Sequence, residues 1–124
     1  MTAARSLRAL LATLPLALGV GACGGGVHVG ADRTVRISLH EYRLRPDRIT
    51  AASGRLTVLA RNYGVVTHSL TILRGGTTIA STRAIAPGHT GSLTVTLAPR
   101  TYSLASTVHT DQDLGADGTL TVTR

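Results

Sequence analysis

The chain has 124 residues, a formal charge of +7, one cysteine, three Tyr, and neither Trp nor Phe. A single cysteine excludes an internal disulfide framework, and the length allows one domain with one core. All 13 basic side chains are Arg, scattered along the sequence without a basic run, which with so few aromatics excludes a typical nucleic-acid binder and leaves only a mild attraction to anionic lipid or wall polymers.

Residues 1–22 read as an export signal. Arg5 and Arg8 precede the apolar run from Ala9 to Val20, which is shorter than the roughly 20 residues of a membrane span. The sequence Val20-Gly21-Ala22-Cys23 then resembles the lipobox of bacterial lipoproteins. That resemblance implies cleavage before Cys23, lipidation of Cys23, and an exported protein held on the cell membrane or envelope through its N-terminal lipid. The mature chain would keep 102 residues and a charge of +5, having lost Arg5 and Arg8. Residues 23–33 carry Gly24-Gly25-Gly26 and read as a flexible tether in which His28 is solvated. Residues 34–124 form the domain.

From Thr34 the pattern alternates, with Val35, Ile37 and Leu39 against Thr34, Arg36 and Ser38, which predicts a strand with one buried face. The segment from Tyr42 to Gly54 predicts short strands interrupted at Pro46, which removes an amide donor. Leu56, Val58 and Ala60 alternate again, and Asn62-Tyr63-Gly64 ends that strand. A strand through Leu70 and Ile72 meets the hairpin signal Gly75-Gly76. Thr77 to Ile85 reads as one short strand plus a bend, and Pro87-Gly88 as a turn. Leu93, Val95 and Leu97 mark the next strand. After Pro99, Tyr102, Leu104 and Ser106 share one face of another, and Thr119 to Thr123 closes the chain. Seven or eight short strands with turns every eight to twelve residues predict an all-β, antiparallel Greek-key sandwich. Tyr102 suits a tyrosine corner, with its ring inward and its hydroxyl on nearby backbone.

Two segments carry a more specific signal. Asn62-Tyr-Gly64-Val-Val-Thr-His68-Ser-Leu70 and the closing Tyr102-x3-Ser106-x4-Asp111-x4-Ala116 resemble the two halves of a cupredoxin copper site, whose second half normally runs Tyr-x3-Cys-x4-His-x4-Met. The resemblance covers Leu39 to Val122. It implies a cupredoxin-like sandwich in which His68 stands at the first histidine ligand and Asn62 at a residue that hydrogen-bonds between the two ligand loops. Ser106, Asp111 and Ala116 then stand where thiolate, imidazole and thioether belong. A type 1 copper needs the thiolate for its short sulfur bond, and a serine hydroxyl does not ionise near neutral pH. The resemblance therefore implies a degenerate copper site and a binding or structural role, without electron transfer, beside an unidentified envelope partner.

A second reading gives the same corner a non-redox site, in which His68, His109 and Asp111 hold Cu(II) or Zn(II). A third makes the chain a generic immunoglobulin-like domain. The structural alternatives are simpler: His68 partly buried at a strand end with its ring on Ser106 or a carbonyl, Asp111, Asp113 and Asp117 as loop residues, and His40 and His89 in solvent. No catalytic set is apparent. Glu41 has no partner carboxylate for acid–base work, and neither a nucleophile elbow nor a phosphate loop occurs.

Overall fold

The structure is a computed structural model that describes residues 26–106 and 117–124. Among the described residues there are ten strands and no helix: β1 (Gly26–His28), β2 (Thr34–His40), β3 (Arg43–Arg45), β4 (Arg48–Ala52), β5 (Gly54–Asn62), β6 (Thr71–Arg74), β7 (Thr77–Ser81), β8 (Thr90–Leu97), β9 (Arg100–Ala105) and β10 (Asp117–Thr123). They form a six-stranded sheet in the order β1-β4-β10-β9-β6-β7 and a four-stranded sheet in the order β3-β2-β5-β8.

The alternation seen in the sequence decides which side chains point between the sheets. Val35, Ile37 and Leu39 on β2 and Leu56, Val58 and Ala60 on β5 turn inward, and meet Ile72, Leu104, Leu120 and Val122 from the other sheet. Without Phe or Trp, this core is aliphatic except for Tyr102. The Tyr102 ring is buried and its hydroxyl donates to the Ala98 carbonyl at 2.8 Å, the expected corner.

The sandwich departs from the expectation in three respects. It is mixed rather than antiparallel: β1 with β4, β4 with β10, and β2 with β5 are parallel pairs. The chain leaves the smaller sheet after β3, crosses at Pro46-Asp47 to β4 in the larger one, and returns as β5 beside β2. A crossover of that kind brings the strand back in the same direction. The segment from Tyr42 to Gly54 thus serves both sheets. The tether reading also fails for Gly26–His28, which pair with Arg48, Ile49 and Thr50, while Val29 donates to the Thr50 carbonyl at 2.8 Å. His28 is nevertheless exposed there. Finally, the scatter of Arg in the sequence becomes a cluster in space. Arg36, Arg43, Arg45, Arg55 and Arg61 all lie on the outer face of the smaller sheet, because strand positions two apart share a face.

Candidate functional site

At one end of the sandwich, the end of β5, the loop after it, the turn between β2 and β3, and the end of β9 come together. Asn62 is the last residue of β5 and is fully buried. Its side-chain amide donates to the carbonyls of Val66 and Ile85, both at 2.8 Å, and its oxygen accepts the Gly64 amide at 2.8 Å. Its backbone pairs with the turn after Ala86, through the His89 carbonyl and the Gly88 amide. The Asn62 side chain therefore ties its own loop to the segment around Ile85; the bridge between the two ligand loops that the sequence resemblance implied involves the loop after β9, which lies outside the described residues.

That loop delivers His68, which is fully buried rather than partly so. Its amide and carbonyl exchange hydrogen bonds with Ile85, at 3.1 and 2.7 Å. The next amide, of Ser69, donates to Ser106 Oγ at 3.4 Å, and Ser106 is also buried. The structure thus brings His68 and Ser106 to one corner although 37 residues separate positions 69 and 106. Asp111, His109 and Ala116 lie outside the described residues, as does Cys23. His40 is half-buried at the rim and His89 is exposed.

The residue that the sequence reading missed is Glu41. It sits in the two-residue turn between β2 and β3, where Tyr42 takes a φ of 62°. Its Oε1 accepts the amides of Val65 and Val66, the second at 3.1 Å, and lies 3.4 Å from His68 Nε2. The Val66 amide first, then that of Val65 and the His68 ring, hold the Glu41 carboxyl below its ordinary value of 4.5, against an opposing contribution from desolvation. An ionised Glu41 can only accept, so this hydrogen bond requires a proton on His68 Nε2, and it orients the imidazole. Gly64 makes room for the arrangement: a Cβ there would lie within 3.0 Å of the Glu41 carboxylate. Nothing local in the sequence flags Glu41, since the contact spans 27 positions.

Tyr63 closes the outer rim. It stacks on His40 with ring centres 5.6 Å apart and lies beneath the Arg61 guanidinium at 5.2 Å.

No protein-family model and no curated protein matches the sequence. Solved structures do. The dithionite-reduced auracyanin of the photosynthetic bacterium Roseiflexus castenholzii superposes with a TM-score of 0.70 at 24% identity, over 77% of this chain and 100% of that one. Auracyanin A, a blue copper protein of the green thermophilic photosynthetic bacterium Chloroflexus aurantiacus, gives 0.66 at 21% identity, over 77% and 98%. Auracyanin B gives 0.69 at 21% identity, over 73% and 88%.

The chain has a cupredoxin-like fold. The immunoglobulin-like reading is set aside. In this cupredoxin-like sandwich the described part of the corner offers an imidazole at His68, a hydroxyl at Ser106, and a carboxylate at Glu41 engaged by two amides. Among the described residues no three His, Cys, Asp or Glu side chains gather as a metal cluster, and none of this corner supplies a thiolate. These groups do not fit a type 1 copper, which requires one.

Proposed function

We propose that the protein is an exported, lipid-anchored envelope protein whose cupredoxin-like module has lost blue-copper electron transfer and acts by binding rather than by catalysis. One observation carries this reading. Ser106 stands at the thiolate position of the motif, and it is buried with its Oγ accepting the Ser69 amide, next in sequence to His68. The framework of a ligand corner is kept while the sulfur that gives such a site its electronic character is absent. Cleavage before Cys23 and its lipidation, proposed from the Val20-Gly21-Ala22-Cys23 motif, would use the chain's only thiol as an anchor. Intact-mass analysis of the membrane-extracted protein tests this: an N-terminal Cys23 bearing acyl chains supports it, and an unmodified thiol refutes it.

One feature favours the second reading, a Cu(II) or Zn(II) site at His68, His109 and Asp111. Glu41 at His68 Nε2 resembles the carboxylate that commonly orients and strengthens a metal-binding imidazole from behind. Metal analysis of the purified protein separates the two readings. Stoichiometric metal that is lost in His68→Ala supports a metal site. A metal-free protein whose melting temperature ignores added Cu(II) and Zn(II) supports the binding module.

A further inference from the structure

The outer face of the four-stranded sheet has a composition that the fold does not require. Register places Arg43 beside His40, Arg45 beside Ser38, Ser38 beside Arg61, and Arg61 beside Thr90. One step along, Arg36 pairs with Leu59 and Leu59 with Ser92, and at the far end Arg55 pairs with Thr96. Five arginines therefore point outward from three adjacent strands, with seryl and threonyl hydroxyls between them. All five are exposed. No Asp or Glu lies on this face among the described residues, because Asp32 and Asp47 occupy loops, Asp117 belongs to the other sheet, and Glu41 is turned onto the Val65 and Val66 amides. Strand geometry makes the patch about 20 Å along β5 and about 15 Å across the four strands. A shallow depression of about 250 Å³ at its centre is lined by Arg36, Ser38, Leu59, Arg61, Tyr63 and Thr90.

Unbalanced like charge on a broad face is unfavourable unless an anionic surface neutralises it. The chemistry of the face narrows the choice of surface. Arginine forks and small hydroxyls match phosphate oxygens. The core of a protein interface would instead carry buried apolar and aromatic anchors, and here Leu59 and the rim residue Tyr63 are the larger apolar groups. A face that is wide, shallow and poor in such anchors fits a planar array of phosphates.

We propose that this face docks on anionic phospholipid headgroups, so that the domain lies with its four-stranded sheet against the membrane. The contact is electrostatic and independent of Cys23, and it stands or falls separately from the lipid anchor and from any metal.

Cosedimentation of the full chain with vesicles tests it, comparing vesicles containing phosphatidylglycerol with pure phosphatidylcholine vesicles. Taking the ratio of the two affinities cancels the apolar contribution of the N-terminal segment. Each arginine near an anionic surface contributes about a fivefold factor at low salt, so the triple variant Arg36→Gln, Arg45→Gln, Arg61→Gln should lower the ratio on the order of a hundredfold. The control Arg48→Gln, Arg74→Gln, Arg100→Gln removes the same charge, +7 to +4, from the six-stranded sheet and should change the ratio less than fivefold. Raising the salt should erase the preference of the unaltered chain. Equal falls in the two triple variants would overturn the proposal, since net charge alone would then explain binding. Absence of any preference for phosphatidylglycerol would also overturn it, as would binding of soluble polyphosphate or polyglutamate as tight as that of the vesicles. Unchanged melting temperatures of both variants verify that the fold is intact.

Discussion

Replacing Asn62 by Ala should be among the most damaging single polar substitutions in the domain. This fully buried side chain makes three hydrogen bonds of 2.8 Å, donating to Val66 O and Ile85 O and accepting from the Gly64 amide. A buried hydrogen bond contributes about 1 kcal/mol net, so the direct loss is about 3 kcal/mol, and more if the stranded carbonyls find no water. For a domain of roughly 100 residues, that corresponds to a fall in melting temperature of about 12–24 °C. The loop carrying His68 should loosen first, because Asn62 closes it at Val66 and pins it to Ile85. Urea denaturation followed by circular dichroism gives the free energy, and hydrogen exchange at the Gly64 amide reports the loop. Asn62→Asp should be at least as damaging at neutral pH, since a carboxylate would face two carbonyls. A loss below about 1 kcal/mol for Asn62→Ala, with Gly64 still protected, would refute the reasoning that this side chain holds the corner together.

Gly64→Ala should destabilise the protein by expelling the Glu41 carboxylate, and most of that effect should vanish in a Glu41→Ala background; additive effects in the double-mutant cycle would show that the clash is not the cause. Because the folded Glu41 carboxyl titrates below its ordinary value of 4.5, its stabilising contribution is complete above 4.5 and is lost as the pH falls through the lowered value. Denaturation of the unaltered protein and Glu41→Gln should therefore differ most at neutral pH and converge in acid; a gap that widens in acid would contradict the assignment. Tyr102→Phe, which removes the hydroxyl bond to Ala98 O, should cost about 1 kcal/mol without altering the fold, and an unchanged urea midpoint would show the corner to be energetically idle.

Much of the sandwich was legible in the sequence because a strand buried on one face writes its role into every second residue. Val35, Ile37 and Leu39, or Leu56, Val58 and Ala60, could hardly be read otherwise, and Pro99 followed by Tyr102 announced the corner. Pairing was less legible. Nothing in the alternation of β2 and β5 says that they run parallel, since direction depends on the crossover through β4. Gly26–His28 escaped notice because an exposed edge strand holds on by backbone hydrogen bonds that carry no side-chain signature. At the corner, the motif spacing pointed to Asn62, His68 and Ser106, and the loop after β5 lies near all three, through Asn62 on Val66 O, His68 on Ile85, and the Ser69 amide on Ser106 Oγ. Glu41 was invisible because its partners are backbone amides and a histidine far along the chain. The arginine face was hidden for a related reason: residues scattered over 26 positions, from 36 to 61, converge only when three strands are laid side by side.

The central claim is that this scaffold has no thiolate with which to make a blue copper. Optical absorption of the purified protein, titrated with Cu(II) and compared with the Cys23→Ser variant, tests it most directly. The account predicts at most weak ligand-field absorption, the same in both proteins. An intense visible band from thiolate-to-copper charge transfer would contradict it.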